Sequence, residues 1–124
     1  MKLTSIEARV LHVMFSNGGI SPGDADDIVS HMAVERREWS PDVAYPDSCV
    51  GQFVHLEYPK NVPIDGAPEH LAVWAQHPSL PGGVDFVLFL RDGVPMFLEV
   101  SFFGFSTPKS LLEGTEDDFA FAAQ

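Results

Sequence analysis

The sequence is poor in cysteine and contains no long hydrophobic run. Its one cysteine, Cys49, has no partner for a disulfide within the chain, a pattern typical of proteins kept in a reducing compartment. No segment approaches the ~18 consecutive apolar residues that a membrane-spanning helix requires. Residues 1–9 also lack the apolar core of a signal peptide. Together these absences predict a cytoplasmic protein.

Basic residues are scarce as well. Only 7 Lys and Arg face 18 Asp and Glu, which gives a formal net charge of −11. Hydrophobic residues nevertheless make up 45% of the chain, so a folded domain is expected rather than a disordered one. A domain this acidic repels nucleic acid and anionic membranes and attracts basic partners. Solubility alone is the other interpretation of the excess charge.

Two N-terminal helices are predicted within residues 1–39. The first begins with a capping box, in which the side chains of Thr4 and Glu7 each reach the backbone amide of the other residue. Glycine after Asn17 ends this helix, because glycine adopts the left-handed conformation found at helix C-termini. The apolar stripe between these ends consists of Ile6, Val10, Val13 and Met14.

The second predicted helix starts at Ser21 and Pro22, a hydroxyl cap followed by a residue whose fixed φ suits the first helical position. We expect this helix to continue to about residue 39. Its apolar stripe is Ala25, Ile28, Val29 and Met32. Its acidic residues are Asp24, Asp26 and Asp27 in the first turn, and Glu35 and Glu38, which share with Asp27 the face opposite the stripe.

Residues 49–124 are predicted to be mainly β-structure. After a loop at residues 40–48, residues 50–58 alternate in the way a strand does, and residues 71–76 form a second candidate strand. Residues 106–114 predict a short helical turn. The tail, with Phe119 and Phe121, forms either a last edge strand or a loose acidic end.

The strongest local pattern is a β-hairpin that joins residues 84–90 to residues 96–103. A two-residue Asp92-Gly93 turn competes with a three-residue loop that also includes Arg91. We prefer the three-residue loop, because it keeps one face of both strands wholly apolar. That face consists of Val84, Phe86, Leu88, Leu90, Met96, Leu98, Val100 and Phe102. The same register sets Asp85 near Glu99.

In order, these elements predict one α+β domain over residues 1–124. Two N-terminal helices pack on one face of a four- to five-stranded antiparallel sheet. The late hairpin lies at the centre of that sheet, because its second face is also rich in apolar residues: Val87, Phe89, Phe97 and Phe103.

Patterns that carry catalysis or metal binding are weak, and we predict no metal, no cofactor and no enzyme. No two of the five histidines stand at spacing i, i+2 or i, i+4. Cys49 has no basic neighbour in sequence that would activate its thiol. Asp85 and Glu99, if adjacent, offer a carboxylate pair for a small hydrolase, but nothing else in the chain builds a substrate pocket. The histidines are His12, His31, His55, His70 and His77.

A winged-helix regulator is an alternative for the N-terminal third, because such domains also begin with two helices joined by a short turn. Its charge opposes this interpretation, because residues 24–47 contain seven acidic residues and two arginines, whereas a reader of duplex DNA needs a basic face. A structural or adaptor domain with a partner of unknown chemistry is the other alternative.

The layout resembles small bacterial immunity proteins of polymorphic toxin and contact-dependent inhibition systems. The likeness rests on the helical pair, a strand at residues 48–56, a late hairpin at residues 87–100 and a proline-containing segment at Thr107-Pro108. Such proteins bind one cognate toxin domain, often a nuclease, and block its active site or substrate surface. The resemblance implies a basic protein partner, no nucleic acid or membrane partner, and a monomer or a heterodimer with the toxin.

Two acidic clusters are candidates for binding that partner. One is the set on the second predicted helix. The other lies near the C-terminus, at Glu113, Glu116, Asp117 and Asp118. We favour the C-terminal cluster, because acids in the first turn of a helix are already explained by the helix dipole, whereas no basic residue follows Lys109 to pair with this run.

Overall fold

A computed structural model describes residues 1–45, 47–113 and 118–121 of the chain. Two helices precede seven strands and a 3₁₀ turn. The elements in chain order are α1 (Ser5–Asn17), α2 (Pro22–Ser30), β1 (Ala33–Pro41), β2 (Ser48–Glu57), β3 (His70–His77), β4 (Leu80–Arg91), β5 (Val94–Ser101), β6 (Thr107–Pro108), the 3₁₀ turn (Lys109–Glu113) and β7 (Ala120–Phe121).

The strands form one antiparallel sheet in the order β1-β2-β5-β4-β3-β7, with β6 paired to the start of β2. The predicted α+β class is confirmed, and the β4–β5 hairpin lies at the centre of the sheet. Seven strands exceed the four to five expected, because β1 and the two-residue β6 were not among the predicted strands.

Helix α1 begins as its sequence predicts. The backbone amide of Thr4 donates to Glu7 Oε1 at 2.8 Å, and the amide of Glu7 donates to Thr4 Oγ1 at 3.2 Å. These two bonds satisfy donors that the first turn of a helix otherwise leaves free. The helix packs its apolar side into the core through Ile6, Val10, Leu11, Met14 and Phe15, all of which are buried.

The predicted length of the second helix is wrong. Helix α2 ends at Ser30, and Ala33–Pro41 is strand β1, paired along its length with β2. Glu35 and Glu38 therefore stand on a strand and not on a helix. The helical spacing of apolar residues up to Met32 does not extend the helix into Ala33–Pro41. Pairing with β2 satisfies the backbone hydrogen bonds of that segment as a strand instead.

An ion pair fixes strand β1 to helix α1. Arg37 Nη2 lies 2.6 Å from Glu7 Oε1, and Arg37 Nε donates to Glu7 Oε2 at 2.9 Å. The Glu7 side chain is 7% exposed and that of Arg37 is 21% exposed. The hydrogen bond from Arg37 to Glu7 raises the pKa of the arginine above its usual value, so the guanidinium stays charged.

The hairpin turn contains two residues, and the three-residue loop expected from the sequence is wrong. Arg91 pairs with Val94, and the two residues between them have positive φ, 52° at Asp92 and 79° at Gly93, as a type I′ turn requires. The pairing then shifts by one residue, because Phe89 pairs with Phe97 but Leu90 pairs with Pro95. A two-residue turn without a bulge would place apolar and polar side chains of β4 and β5 on the same face. The bulge shifts β5 by one residue, so the apolar side chains of both strands share one face.

The core face of the hairpin is almost as predicted. Val84, Phe86, Leu88, Leu90, Leu98, Val100 and Phe102 are buried. Met96 is the exception, at 37% exposed, because it is the extra residue of the bulge. Asp85 pairs with Ser101 and Glu99 with Val87, so the predicted approach of Asp85 to Glu99 is wrong by two residues.

Candidate protein-binding surface

The two faces of the sheet differ in what covers them. Helix α1 contacts the face that carries Arg37 through Glu7, and the 3₁₀ turn lies on the same side, where Lys109 Nζ is 5.6 Å from the centre of the Trp39 ring. Within the described ranges, neither helix lies on the opposite face. We call that opposite surface the open face.

Three cross-strand rows make up the open face, and the strand register defines them. The central row is Glu38, Phe53, Glu99, Val87 and Ala72. One neighbouring row is Arg36, His55, Phe97, Phe89 and His70. The other contains Gly51, Ser101, Asp85 and Trp74.

Aromatic rings occupy the middle of the open face. Phe89 and Phe97 stack with their ring centres 4.7 Å apart and their planes 20° from parallel. Phe53 meets Phe97 edge to face at 5.9 Å. His55 and His70 lie at the two ends of this group, 6.1 Å from Phe97 and 6.4 Å from Phe89 respectively. All three phenylalanines are half-buried, so part of each ring faces solvent.

Glu38 lies at the β1 edge of the open face between two basic groups. It forms an ion pair with Arg36, and its Oε1 lies 2.7 Å from His55 Nε2, out of line for a hydrogen bond. The Arg36 guanidinium holds the pKa of Glu38 below its usual value, with a further lowering from His55. Glu38 is thus ionised and already partnered.

Asp85 and Glu99 lie nearer the centre of the open face. Neither forms an ion pair with any residue that the structure describes. Burial raises the pKa of Asp85 above its usual value, because the ionised carboxylate is poorly hydrated there. Both are half-buried, and they are not directly paired, because Asp85 pairs with Ser101 and Glu99 pairs with Val87. Two half-buried carboxylates thus lie on the same face of the sheet as the aromatic rings.

The acidic cluster predicted on the second helix is divided by the fold. Asp24, Asp26 and Asp27 are exposed on α2, where Asp26 lies 3.0 Å from His12 and Asp27 lies 3.9 Å from His31. Glu35 is exposed at the bulge of β1, and Glu38 is on the open face. These five residues do not form one surface.

The C-terminal cluster is described in part. Glu113 is exposed at the end of the 3₁₀ turn, and its charge contributes to the raised pKa of Arg37. Asp118 is exposed and lines a shallow depression with Trp74 and His77. Glu116 and Asp117 lie outside the described residues. The structure therefore neither joins nor separates the four carboxylates of this cluster.

Residues considered for chemistry are dispersed. In residues 1–45, 47–113 and 118–121, no three His, Cys, Asp or Glu side chains come together as a metal site would require. Cys49 is buried in the core, and burial raises the pKa of its thiol, which keeps it in its unreactive protonated form. Sequence reasoning missed the open face, because only the strand order brings Phe53 of β2 beside Phe97 of β5.

The chain matches no protein-family model, no curated protein and no solved structure. Among the described residues, no helix is long and apolar enough to cross a membrane.

Proposed function

We propose that this protein is an immunity protein that binds a basic toxin domain of the nuclease type in the cytoplasm and neutralises it. It does so by covering the active site or the substrate surface of the toxin. The observation that carries the proposal is the net charge of −11 on a fold that leaves one face of its sheet uncovered by its helices.

The charge of a nuclease explains why an acidic inhibitor suits it. An enzyme that binds a polyanion needs a basic surface, and an acidic protein that covers this surface gains association rate and specificity from the attraction. Exposed carboxylates on α2 and at Glu113 are available for such long-range attraction. They act on the encounter of the two proteins, since exposed charges attract over about 10 Å at ordinary salt.

Inhibition by binding requires no catalytic group, which agrees with the arrangement of the described residues. Asp85 and Glu99 do not face each other, and the Cys49 thiol is buried. An inhibitor needs instead a surface on which a partner can be held, and the open face offers aromatic rings with carboxylates between them.

Co-expression tests the proposal. We expect an upstream reading frame whose C-terminal domain is toxic when it is expressed alone. Co-expression with this protein should restore growth, and the two chains should co-purify. A control strain expresses the toxin domain with the core variant Leu88→Ala, which we expect to fold poorly and to protect less. Toxicity unchanged by the wild-type protein, with no co-purification, would refute the proposed function.

A further inference from the structure

The open face carries a group of aromatic side chains that are in part accessible to solvent. The Phe53, Phe89 and Phe97 group at its centre continues towards Trp74, whose Nε1 donates to the carbonyl of Gly82 at 3.3 Å. Phe103 and Phe105, 52% and 48% exposed, lie against Gly82. Aromatic side chains gathered on an uncovered sheet face are typical of protein contacts, where Phe, Tyr and Trp are enriched.

Carboxylates alternate with these rings. Glu99 lies between Phe53 and Val87 in the central row, and Asp85 lies one row away, opposite Ser101. In an antiparallel sheet, such direct and diagonal neighbours are within about 5–8 Å of one another. A basic side chain whose stem lies on the Phe89–Phe97 pair therefore places its charged group within reach of the Glu99 carboxylate.

The excess of negative charge on the open face indicates which kind of molecule binds there. The three rows carry Glu38, Asp85 and Glu99 against the single guanidinium of Arg36, which Glu38 already binds. A second copy of this chain would bring the same acidic face and another net charge of −11, so repulsion opposes self-association through this face. A protein surface rich in arginine or lysine fits both the rings and the carboxylates.

We propose that the open face is the docking surface of the partner, and that arginine or lysine side chains of the partner pack their stems on the Phe89–Phe97 pair and place their charges on Glu99, while a further basic side chain pairs with Asp85. The identity of the partner as a toxin rests on the proposed function. The chemistry follows from the surface, because the apolar stems of arginine and lysine bury against aromatic rings while their charged groups remain free to pair with carboxylates. Pairing with a cation also compensates for the poor hydration of Asp85.

A peptide titration locates the surface without the toxin. The probe is a synthetic N-acetylated hexa-arginine amide, and its control is the N-acetylated citrulline hexamer amide, which has nearly the same shape and no charge. We expect saturable NMR shift changes at open-face residues of β2, β4 and β5 and at the rings of Phe89 and Phe97, with none from the citrulline peptide. Changes centred on α2 or on residues 113–118 would overturn the inference.

Ala72 offers a matched pair of variants, because it is exposed at the end of the central row, next to Val87. We expect Ala72→Lys to weaken hexa-arginine binding several-fold relative to Ala72→Glu, with both variants melting near the wild-type temperature. Phe97→Leu should weaken binding about tenfold, as truncation of a central contact does, while Phe97→Tyr keeps the ring and the affinity. Equal binding by the two Ala72 variants would contradict the inference.

The toxin domain separates the inference from the proposed function. Peptide binding on the open face with no protection of cells would refute the immunity function and leave the surface assignment intact. Protection and a toxin complex that both survive Ala72→Lys and Phe97→Leu unchanged would refute the surface and leave the function intact. A dimer of this chain that dissociates in Ala72→Lys would also refute the assignment, because the occupant would then be a second copy.

Discussion

Two carboxyl groups on the open face respond to their surroundings in opposite ways. Burial raises the pKa of Asp85, whereas the neighbouring Arg36 lowers the pKa of Glu38. Ionisation of Asp85 therefore destabilises the folded protein, whereas ionisation of Glu38 stabilises it. A surface that keeps a poorly hydrated carboxylate is less stable by itself than it would be with a cation bound.

Replacement of Asp85 by asparagine tests this difference. Because the pKa of Asp85 is higher in the folded than in the unfolded protein, the folded state is most stable while this carboxyl is protonated, and that stability is lost as pH rises through the folded-state pKa. We expect Asp85→Asn to melt at a higher temperature than the wild type at pH 7. The gap should close as pH falls towards the ordinary aspartate pKa of about 3.9. Thermal melts at several pH values measure it. A variant less stable at pH 7 would show that the carboxylate is stabilising.

Adjacent arginines on β1 provide a matched comparison, since Arg37 faces the core and Arg36 faces solvent. Arg37→Ala leaves the Glu7 carboxylate, 7% exposed, without its cation, and we expect a loss of about 3 kcal/mol in the free energy of unfolding. Arg36→Ala removes an exposed pair and should cost no more than about 1 kcal/mol. Urea unfolding of both variants measures the difference. Equal losses would mean that the Glu7–Arg37 pair does not anchor β1 to α1.

Local signals in the sequence predicted the elements that depend on local interactions. The capping box at Thr4 and the start of α2 at Ser21 were correct, because each is decided within one helical turn. The segment Ala33–Pro41 was assigned wrongly, because its strand conformation depends on pairing with β2, which begins seven residues after β1 ends. The periodicity of residues within one segment gives no information about the strand that will pair with it.

The hairpin shows the same limit in its register. Alternation with a period of two predicted which side chains of β4 and β5 share the core face, and Leu88 and Leu98 are both fully buried there. The turn length was wrong, because a bulge on β5 compensates for the two-residue turn at Asp92-Gly93. A shift of register by two residues leaves every side chain on its original face, so the burial pattern could not distinguish the two pairings.

The central hairpin should carry much of the stability of the fold. Leu88 and Leu98 are directly paired across β4 and β5, and neither is exposed to solvent. We expect Leu88→Ala or Leu98→Ala to lower the free energy of unfolding by about 2–5 kcal/mol. Val87→Ala, on the open face of the same strand, should cost less. Urea titrations provide the values, and a Leu88→Ala protein that melts within two degrees of the wild type would place the hairpin outside the stabilising core.

For the whole molecule, the sequence predicts a basic partner and two acidic clusters that could bind it, but it does not indicate the open face. The excess of acidic residues favours a basic partner wherever those residues lie. Their positions depend on the strand order, which puts Glu38 and Glu99 in one row and leaves Asp24 on a helix. The order of residues 38–99 in the sequence does not indicate that β1, β2, β4 and β5 together supply one aromatic and acidic face.

Binding kinetics of three triple variants decide where a toxin domain docks, because each variant removes three negative charges. The variants are Glu38→Gln/Asp85→Asn/Glu99→Gln on the open face, Asp24→Asn/Asp26→Asn/Asp27→Asn on α2, and Glu116→Gln/Asp117→Asn/Asp118→Asn near the C-terminus. All three should slow association and weaken its salt dependence, because each reduces long-range attraction. Only the open-face variant should also speed dissociation, by about tenfold or more. Faster dissociation confined to the α2 or the C-terminal variant would instead place the partner there.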